Sequence, residues 1–228
     1  MRRIYEGELK PGDKFFSEAE ALSEFGVSRA MLREALRYLQ IQGVLDIRTG
    51  PGGGHFVSLP RPGSLASTIA LLLQFAGAPI NCIIDARRIL EPAIVREAAT
   101  NASASDIAAM DAAITAIAKG VDEDVPFSAA WAAFWDATAG ASGNALFTFL
   151  IPALHAIGRS GGFASTQYGR ATALALSRRL RDAIAAHDAD AAATIVDEVH
   201  VLVHEVLEDN YTDLLTRPVS WADVQDVL

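Results

Sequence analysis

Three arginines near the amino end of the chain, Arg29, Arg33 and Arg37, recur at every fourth position. In a helix this spacing places their side chains on one face. A guanidinium group can pair with a guanine edge or with a phosphate, so such a face is suited to contact with nucleic acid. The simpler alternative is the solvated face of an ordinary surface helix.

The residues around these arginines predict the elements that position them. Ser17 and Glu20 form a capping box that begins a first helix. Gly26 is suited to the left-handed turn that ends this helix. Ser28 then caps a second helix, which is predicted to run to Gln42 and to carry the arginines. The apolar spacing predicts a buried stripe on this helix, formed by Met31, Leu32, Ala35, Leu36 and Leu39.

A glycine-rich hairpin is predicted after the second helix. Residues 44–48 and 55–57 have the character of two short strands. The loop between them, residues 49–54, contains four glycines, so its backbone can approach a nucleic-acid groove closely. Two capped helices, a tight turn and a hairpin in this order predict a winged helix-turn-helix, which places one helix in the major groove of DNA.

The same segment resembles the DNA-binding domain of the GntR family of bacterial transcription regulators. The resemblance rests on Ile4, Gly7, Leu9, Pro11-Gly12-Asp13, Ser17-Glu18, Glu20-Ala21-Leu22, Gly26-Val27-Ser28-Arg29, Leu32-Arg33-Glu34-Ala35-Leu36, Leu39, Gly43-Val44 and Gly54-His55-Phe56-Val57. It implies operator contacts from Ser28, Arg29 and Arg33, with the wing glycines following the minor groove. With Arg37 and the wing, the expected DNA-binding set is Ser28, Arg29, Arg33, Arg37, Thr49, Gly50, Gly53, Gly54 and His55.

Two departures from this family pattern affect the expectations. The family usually carries a DNA-contacting arginine where this chain has Ala19, so we expect one contact to be missing. The family also has most of a helix before the position of Ile4, where only three residues stand here. Whether the native chain extends further at its amino end is therefore an open question.

Composition and charge separate two parts of the chain. Residues 1–60 are electrically neutral, and residues 61–228 carry the whole formal charge of −9. An acidic second part would repel DNA, so the arginine face would set the orientation of the protein on the duplex. The single Cys82 cannot form an intramolecular disulfide and is typical of a reducing compartment. We predict a cytoplasmic protein without a membrane span or signal peptide.

After the hairpin, the chain is predicted to be helical throughout. Prolines and glycine mark a linker at residues 60–64, and Ser220 could cap a short helix in the tail, residues 216–228. The fold class is therefore mainly α. It consists of a winged helix-turn-helix over residues 1–59 and an antiparallel all-helical bundle over residues 65–215. The predicted helices are 65–75, 81–100, 104–119, 126–141, 144–159, 166–186 and 188–211.

The second part resembles the FCD domain, the all-helical ligand-binding domain of the FadR-type branch of the same family. The matching words are Arg87-Arg88-Ile89-Leu90-Glu91-Pro92, Ala98-Ala99, Phe134, Ala141-Ser142-Gly143-Asn144, Ala183-Ile184-Ala185-Ala186-His187-Asp188 and Ala191-Ala192. The resemblance implies a domain that binds a small effector and forms a homodimer.

Many members of this branch hold a divalent metal with one aspartate and three histidines. The matching positions here are Trp131, Trp135, Ser177 and Val199, and we expect none of them to bind a metal. A rival pair, His200 and His204, shares a helix face four residues apart, with Asp197 or Glu205 as a possible helper. His200 is turned about 100° from the expected ligand position, however. We favour surface or interface histidines, with His155 and His187 as isolated structural residues, and predict no metal cofactor.

The predicted effector pocket comprises Arg87, Trp131, Trp135 and Ser177. The two tryptophans would either plug the cavity or give it an aromatic wall. The resemblance implies that Arg87 can reach the cavity. A buried arginine needs a partner, which would be an effector carboxylate or an internal acid such as Glu91 or Asp136. We favour the internal pair.

These observations predict a transcription regulator, most typically a repressor, that binds a palindromic operator as a homodimer. An effector would shift the protein between a state that fits the operator DNA and a state that does not. The alternative is a ligand-independent dimeric DNA-binding protein with a filled cavity. Residues 64–228 carry no nucleophile motif, phosphate loop or carboxylate pair, so the sequence does not predict an enzyme.

Overall fold

The computed structural model describes residues 6, 8–163 and 166–228, apart from the side chains of residues 124, 125 and 168. The chain forms two compact units, Met1–Ser64 and Leu65–Leu228. Ile4 and Gly7, which contributed to the family resemblance, lie outside the described residues. The predicted mainly α fold, with a small winged sheet and a helical second part, is confirmed.

The first unit contains helices α1 (Glu18–Phe25) and α2 (Arg29–Ile41) and strands β1 (Leu45–Arg48) and β2 (Gly54–Val57). Ser17 and Glu20 form the predicted capping box. Gly26 ends α1 in the left-handed conformation, with φ +61°, which costs glycine little. The two strands are antiparallel, with Leu45 opposite Val57 and Arg48 opposite Gly54.

A third extended segment, missed by the sequence analysis, completes this small sheet. The amide of Phe15 donates to the carbonyl of His55 at 2.7 Å, and the amide of Val57 donates to the carbonyl of Asp13 at 2.9 Å. Lys14 forms an isolated bridge with Phe56. The residues before α1 therefore cover the outer edge of β2.

The predicted buried stripe of α2 is partly wrong. Leu32 and Leu36 are buried and Leu39 is half-buried, as expected. Met31 is 62% exposed and Ala35 is also exposed, because both lie about 100° around the helix from the face that packs. The buried strip of this helix is therefore narrow. The core residues it meets are Ala21, Leu45 and Val57.

The second unit is a bundle of helices joined by short connections. Helices α5 and α6 pack on each other, as do α4 and α9. The helices are α3 (Pro62–Phe75), α4 (Asn81–Asn101), α5 (Ala104–Gly120), α6 (Asp124–Ala141), α7 (Phe147–Arg159), α8 (Gln167–Ala185), α9 (Ala189–Thr216) and α10 (Trp221–Asp226).

Several predicted helix ends need correction. Helix α3 begins three residues before the expected Leu65, because proline is tolerated in a first helical turn. Helix α7 begins at Phe147, and Asn144 instead accepts a hydrogen bond from the amide of Leu146 before the helix. Helix α9 continues past its predicted end at Tyr211, where non-helical backbone angles of φ −140° and ψ 25° mark a kink.

The tail belongs to the helical unit. Val219 and Val224 are buried in the same apolar cluster as Ala66 and Ile80. Ser220 caps α10, as predicted, by accepting from the amide of Asp223. The backbone amide of Trp221 donates to Gln74, and its indole donates to Ser67 at 2.9 Å. These contacts fasten the tail to α3.

Candidate functional site

The predicted arginine face is available on α2. Arg29, Arg33 and Arg37 are all exposed. Arg33 makes only a surface ion pair, with its Nε 3.4 Å from Glu18 Oε1 and with 70% of its side chain exposed. Such a pair contributes about 0–1 kcal/mol. A phosphate or base can therefore displace Glu18 at little cost.

Ser28 has a definite structural task at the start of this face. Its hydroxyl accepts a hydrogen bond from the amide of Met31 at 3.2 Å, which begins α2 in the predicted register. The remaining amides of the first turn have no intrahelical partner and can face an anion. Ala19, where the resemblance implies a missing contact, is exposed on α1.

The wing has the predicted glycine-dependent geometry. Gly50 adopts φ +92°, which strongly favours glycine. A Cβ atom on Gly53 would lie 2.3 Å from the carbonyl oxygen of Arg48, so no side chain fits there without a backbone shift. Thr49 and Gly50 are exposed at the tip, whereas Gly53, Gly54 and His55 are half-buried.

Two further cations flank the wing and were missed by the sequence analysis. The guanidinium of Arg48 lies 4.0 Å from the centre of the Phe56 ring. Lys14 approaches Gly54 closely enough that a Cβ there would lie 3.2 Å from its Cε. Lys14 is next to the wing only because of the long-range pairing of residues 12–15, for which the local sequence carries no signal.

The helical unit contains a buried ionic cluster centred on Glu91. This carboxylate is fully buried, and its Oε1 accepts from Arg87 Nε at 2.8 Å and from His155 Nε2 at 2.8 Å. His200 Nε2 lies 3.1 Å from Oε2, although the angle is not that of a hydrogen bond. A carboxylate can only accept, so His155 carries its proton on Nε2.

Some members of this cluster are charged at neutral pH and His155 is not. Burial would raise the pKa of Glu91, but the Arg87 charge and the two histidines hold that pKa well below its usual range. Burial, together with the nearby Arg87 charge, lowers the pKa of His155 to about 4 against the opposing effect of Glu91. At neutral pH the cluster is therefore an Arg87–Glu91 ion pair with a neutral His155.

This cluster decides several sequence-based expectations. Arg87 pairs with Glu91, the internal partner that we favoured over an effector carboxylate. The expectation that His155 stands alone is wrong, and so is the surface or interface assignment of His200, which is 7% exposed. His204 is exposed as expected, with 65% of its side chain in solvent. The ring of His187 contacts the carbonyl of Ala99 at 2.7 Å.

The residues at the family's metal positions do not fit a metal ion. Trp131, Trp135 and Val199 offer no ligand atom, and the Ser177 hydroxyl donates to the carbonyl of Ala173 at 2.9 Å. Among the described residues, no group of three histidine, cysteine, aspartate or glutamate side chains has an arrangement that could hold a metal. That the protein carries no metal remains a prediction.

Beside the buried cluster lies a cavity of about 200 Å³. Arg87 and Trp131 line it, as the predicted effector pocket requires. Trp135 and Ser177 do not line it, because each is 1% exposed and packed within the helices. The Trp135 ring instead packs edge-on against His155, with the ring centres 5.6 Å apart. The indole nitrogen of Trp135 finds no partner in the described part of the chain.

Arg159, which the sequence analysis did not select, also lines this cavity. It makes no hydrogen bond or ion pair within residues 8–163 and 166–228, and it is exposed to solvent. Burial lowers the pKa of Arg159, with Asp136 opposing and Arg87 assisting that shift. Burial also raises the pKa of Asp136, against the effect of Arg159.

A winged helix-turn-helix with an exposed arginine face, joined to a helical bundle with a cavity, defines a class of two-part regulatory proteins. Residues 1–57 match the family described as Bacterial regulatory proteins, gntR family, and residues 82–200 match the FCD domain. The chain belongs to the GntR family, in the branch with an FCD domain. The similar proteins of known function are transcription regulators and not enzymes.

Two relatives illustrate the sequence similarity. The Galactonate operon transcriptional repressor of Escherichia coli strain K12 is 31% identical over 117 residues, which is 50% of each chain. The HTH-type transcriptional repressor NanR of Klebsiella aerogenes is 30% identical over 147 residues, covering 63% of this chain and 56% of that protein. The chain spans about half the length of the curated relatives it matches.

A solved structure shares the fold over most of the chain. Streptococcus agalactiae GntR aligns with a TM-score of 0.70 over 90% of this chain and 94% of its own, at 21% identity. In the part of the chain that the structure describes, no helix combines the length and the apolar character needed to cross a membrane.

Proposed function

We propose that this protein is a transcriptional repressor that binds a palindromic operator as a homodimer and releases it when a small molecule enters the helical unit. The observation that carries the proposal is the exposed row of Arg29, Arg33 and Arg37 on a helix capped by Ser28. Two relatives carry the word repressor in their names, which favours repression over activation.

The cavity supports effector sensing over a bundle that only dimerises. Trp131 forms part of its wall, and Trp135 packs beside it, so the two tryptophans leave the space open. A ligand that binds one arrangement of the regulator better than another would shift its DNA affinity. The proposed effector binds without a metal, because Trp131 and Trp135, which offer no ligand atom, stand at two of the positions where a metal would need ligands.

Exposed apolar residues support the proposed homodimer. Leu71, Leu72 and Phe75 are 41%, 66% and 84% exposed, and their spacing places them on one side of α3. Burying such side chains in a two-fold contact is favourable. The dimer would match the symmetry of a palindromic site. We place the protein in the cytoplasm, where its DNA and a reduced Cys82 would be found.

The proposal is tested by selecting bound sequences from a random-sequence duplex DNA library with the purified full-length chain. We expect a palindromic consensus to be enriched, and Arg33→Ala to weaken binding to that consensus by about 1–3 kcal/mol. Arg178→Ala removes an exposed arginine from α8 and should leave binding unchanged. Failure to enrich any sequence, or equal binding by the Arg33→Ala variant, would refute the proposal.

A further inference from the structure

We infer that the cavity of the helical unit takes a small monoanion with an apolar body, such as an alkanoate or arylalkanoate. Its negative group would lie at Arg159 beside Arg87, and its body would lie against Trp131 and Phe127. The inference deepens the proposed function, on which it rests for its regulatory meaning, by naming the ligand class and a residue that holds the ligand.

The charges that line the cavity favour a single negative group. Arg87 is already neutralised by Glu91, 2.8 Å away, so this pair contributes little net charge. Arg159 makes no ion pair within the described ranges, although the charge of nearby Asp136 acts on its pKa. His155 is neutral at pH 7. Arg159 is therefore a cation of the cavity wall that has no ion pair among the described residues, and a carboxylate is its natural partner.

The rest of the wall favours an apolar body. Beside the two arginines, the polar side chains that line the cavity are those of Ser128, His155 and Thr166. Thr166 already accepts from the amide of Gly169 at 3.0 Å, and His155 is bound to Glu91. The remaining surface is mainly aliphatic or aromatic and includes Ile84, Phe127, Trp131, Val203, Val206 and Leu207.

A polyhydroxylated acid would find few partners in such a wall. Each hydroxyl buried without a hydrogen bond opposes binding, whereas each buried methylene favours it. The cavity volume of about 200 Å³ is below the range typical of drug-sized ligands and suits a small metabolite. The ligand expected here therefore differs from galactonate, the sugar acid in the name of one relative.

The ligand class is tested by calorimetry and thermal shift on the purified full-length chain without DNA. The probes are phenylacetate, hexanoate and octanoate, with phenylacetamide, hexanamide and octanamide as uncharged matches, and galactonate as the hydroxylated acid. Arg159→Gln is compared with Arg178→Gln, which removes an exposed arginine outside the cavity. Trp131→Phe shows whether quenching of tryptophan fluorescence on binding comes from the cavity wall.

We expect at least one of the three acids to bind and to stabilise the chain, at least tenfold more tightly than its amide or than galactonate. Arg159→Gln should weaken that acid at least tenfold, and Arg178→Gln should leave it unchanged. Binding of none of the acids, equal binding of acid and amide, preference for galactonate, or an unaffected Arg159→Gln variant would overturn the inference. Because no DNA is present, these outcomes are separate from the DNA selection that tests the proposed function.

Discussion

The buried His155 makes the stability of the helical unit depend on pH in a way that one variant can isolate. Its pKa is about 4 in the folded chain, against 6.5 for an ordinary histidine, because burial disfavours the charged ring. Between these values the unfolded chain binds a proton that the folded chain does not. The stability that the neutral, buried His155 contributes to the folded chain is present above pH 6.5 and is lost as the pH falls towards 4. Between about pH 7 and about pH 5 the loss is about 2 kcal/mol.

The matched variant is His155→Gln, whose side-chain amide can still donate to Glu91 but does not titrate. It will be less stable at every pH because it loses packing against Trp135. Its stability should nevertheless fall by about 2 kcal/mol less than that of the wild type between about pH 7 and about pH 5. The depressed pKa of Glu91 keeps the titration of that acid below this interval.

Urea unfolding followed by tryptophan fluorescence measures this difference in the helical unit alone, because all three tryptophans, Trp131, Trp135 and Trp221, lie there. His204→Gln, at an exposed histidine, is the control and should keep the wild-type pH dependence. An identical loss of stability in the wild type and in His155→Gln would show that His155 is not held neutral by burial.

Three other changes test separate features. Glu91→Gln should destabilise the helical unit by about 3–5 kcal/mol in the same urea assay, because it leaves the Arg87 charge buried without its partner; a loss below about 1 kcal/mol would mean that Arg87 finds another counterion or water. Gly53→Ala should weaken DNA binding without changing the helical unit, because the added Cβ would lie 2.3 Å from the Arg48 carbonyl; Gly140→Ala, which meets nothing within 4 Å, is its control, and equal DNA binding by the two variants would contradict the wing assignment. Metal analysis of the purified protein should find less than one equivalent of zinc, nickel or manganese, and one tightly held ion per chain would refute the metal-free prediction.

Local signals in the sequence were sufficient for most of the secondary structure. The capping box at Ser17, the left-handed Gly26 and the caps at Ser28 and Ser220 all depend on residues within one helical turn. Such patterns are readable because the side chain and its backbone partner are close in sequence. The narrow buried face of α2 was less predictable, because it depends on what the helix packs against.

The buried ionic cluster and the cavity of the helical unit depend on contacts between distant parts of the chain, which the sequence does not reveal. Glu91 and His155 are 64 residues apart in the sequence. His200 lies one position past the expected ligand position on α9, and for that reason we assigned it to the surface, whereas it is buried. The same is true of Arg159, whose place at the cavity follows from the packing of α7 and not from any motif. The arginine face on α2 could be predicted, because a spacing of four residues fixes it within one helix.

The attachment of Trp221 and Gln225 to Ser67 has a practical consequence for anyone handling this protein. These hydrogen bonds hold α10 against α3, which is the helix through which the chain enters its second unit. Cutting the chain before Trp221 would remove these contacts, so fragments prepared for study should retain residues 221–226.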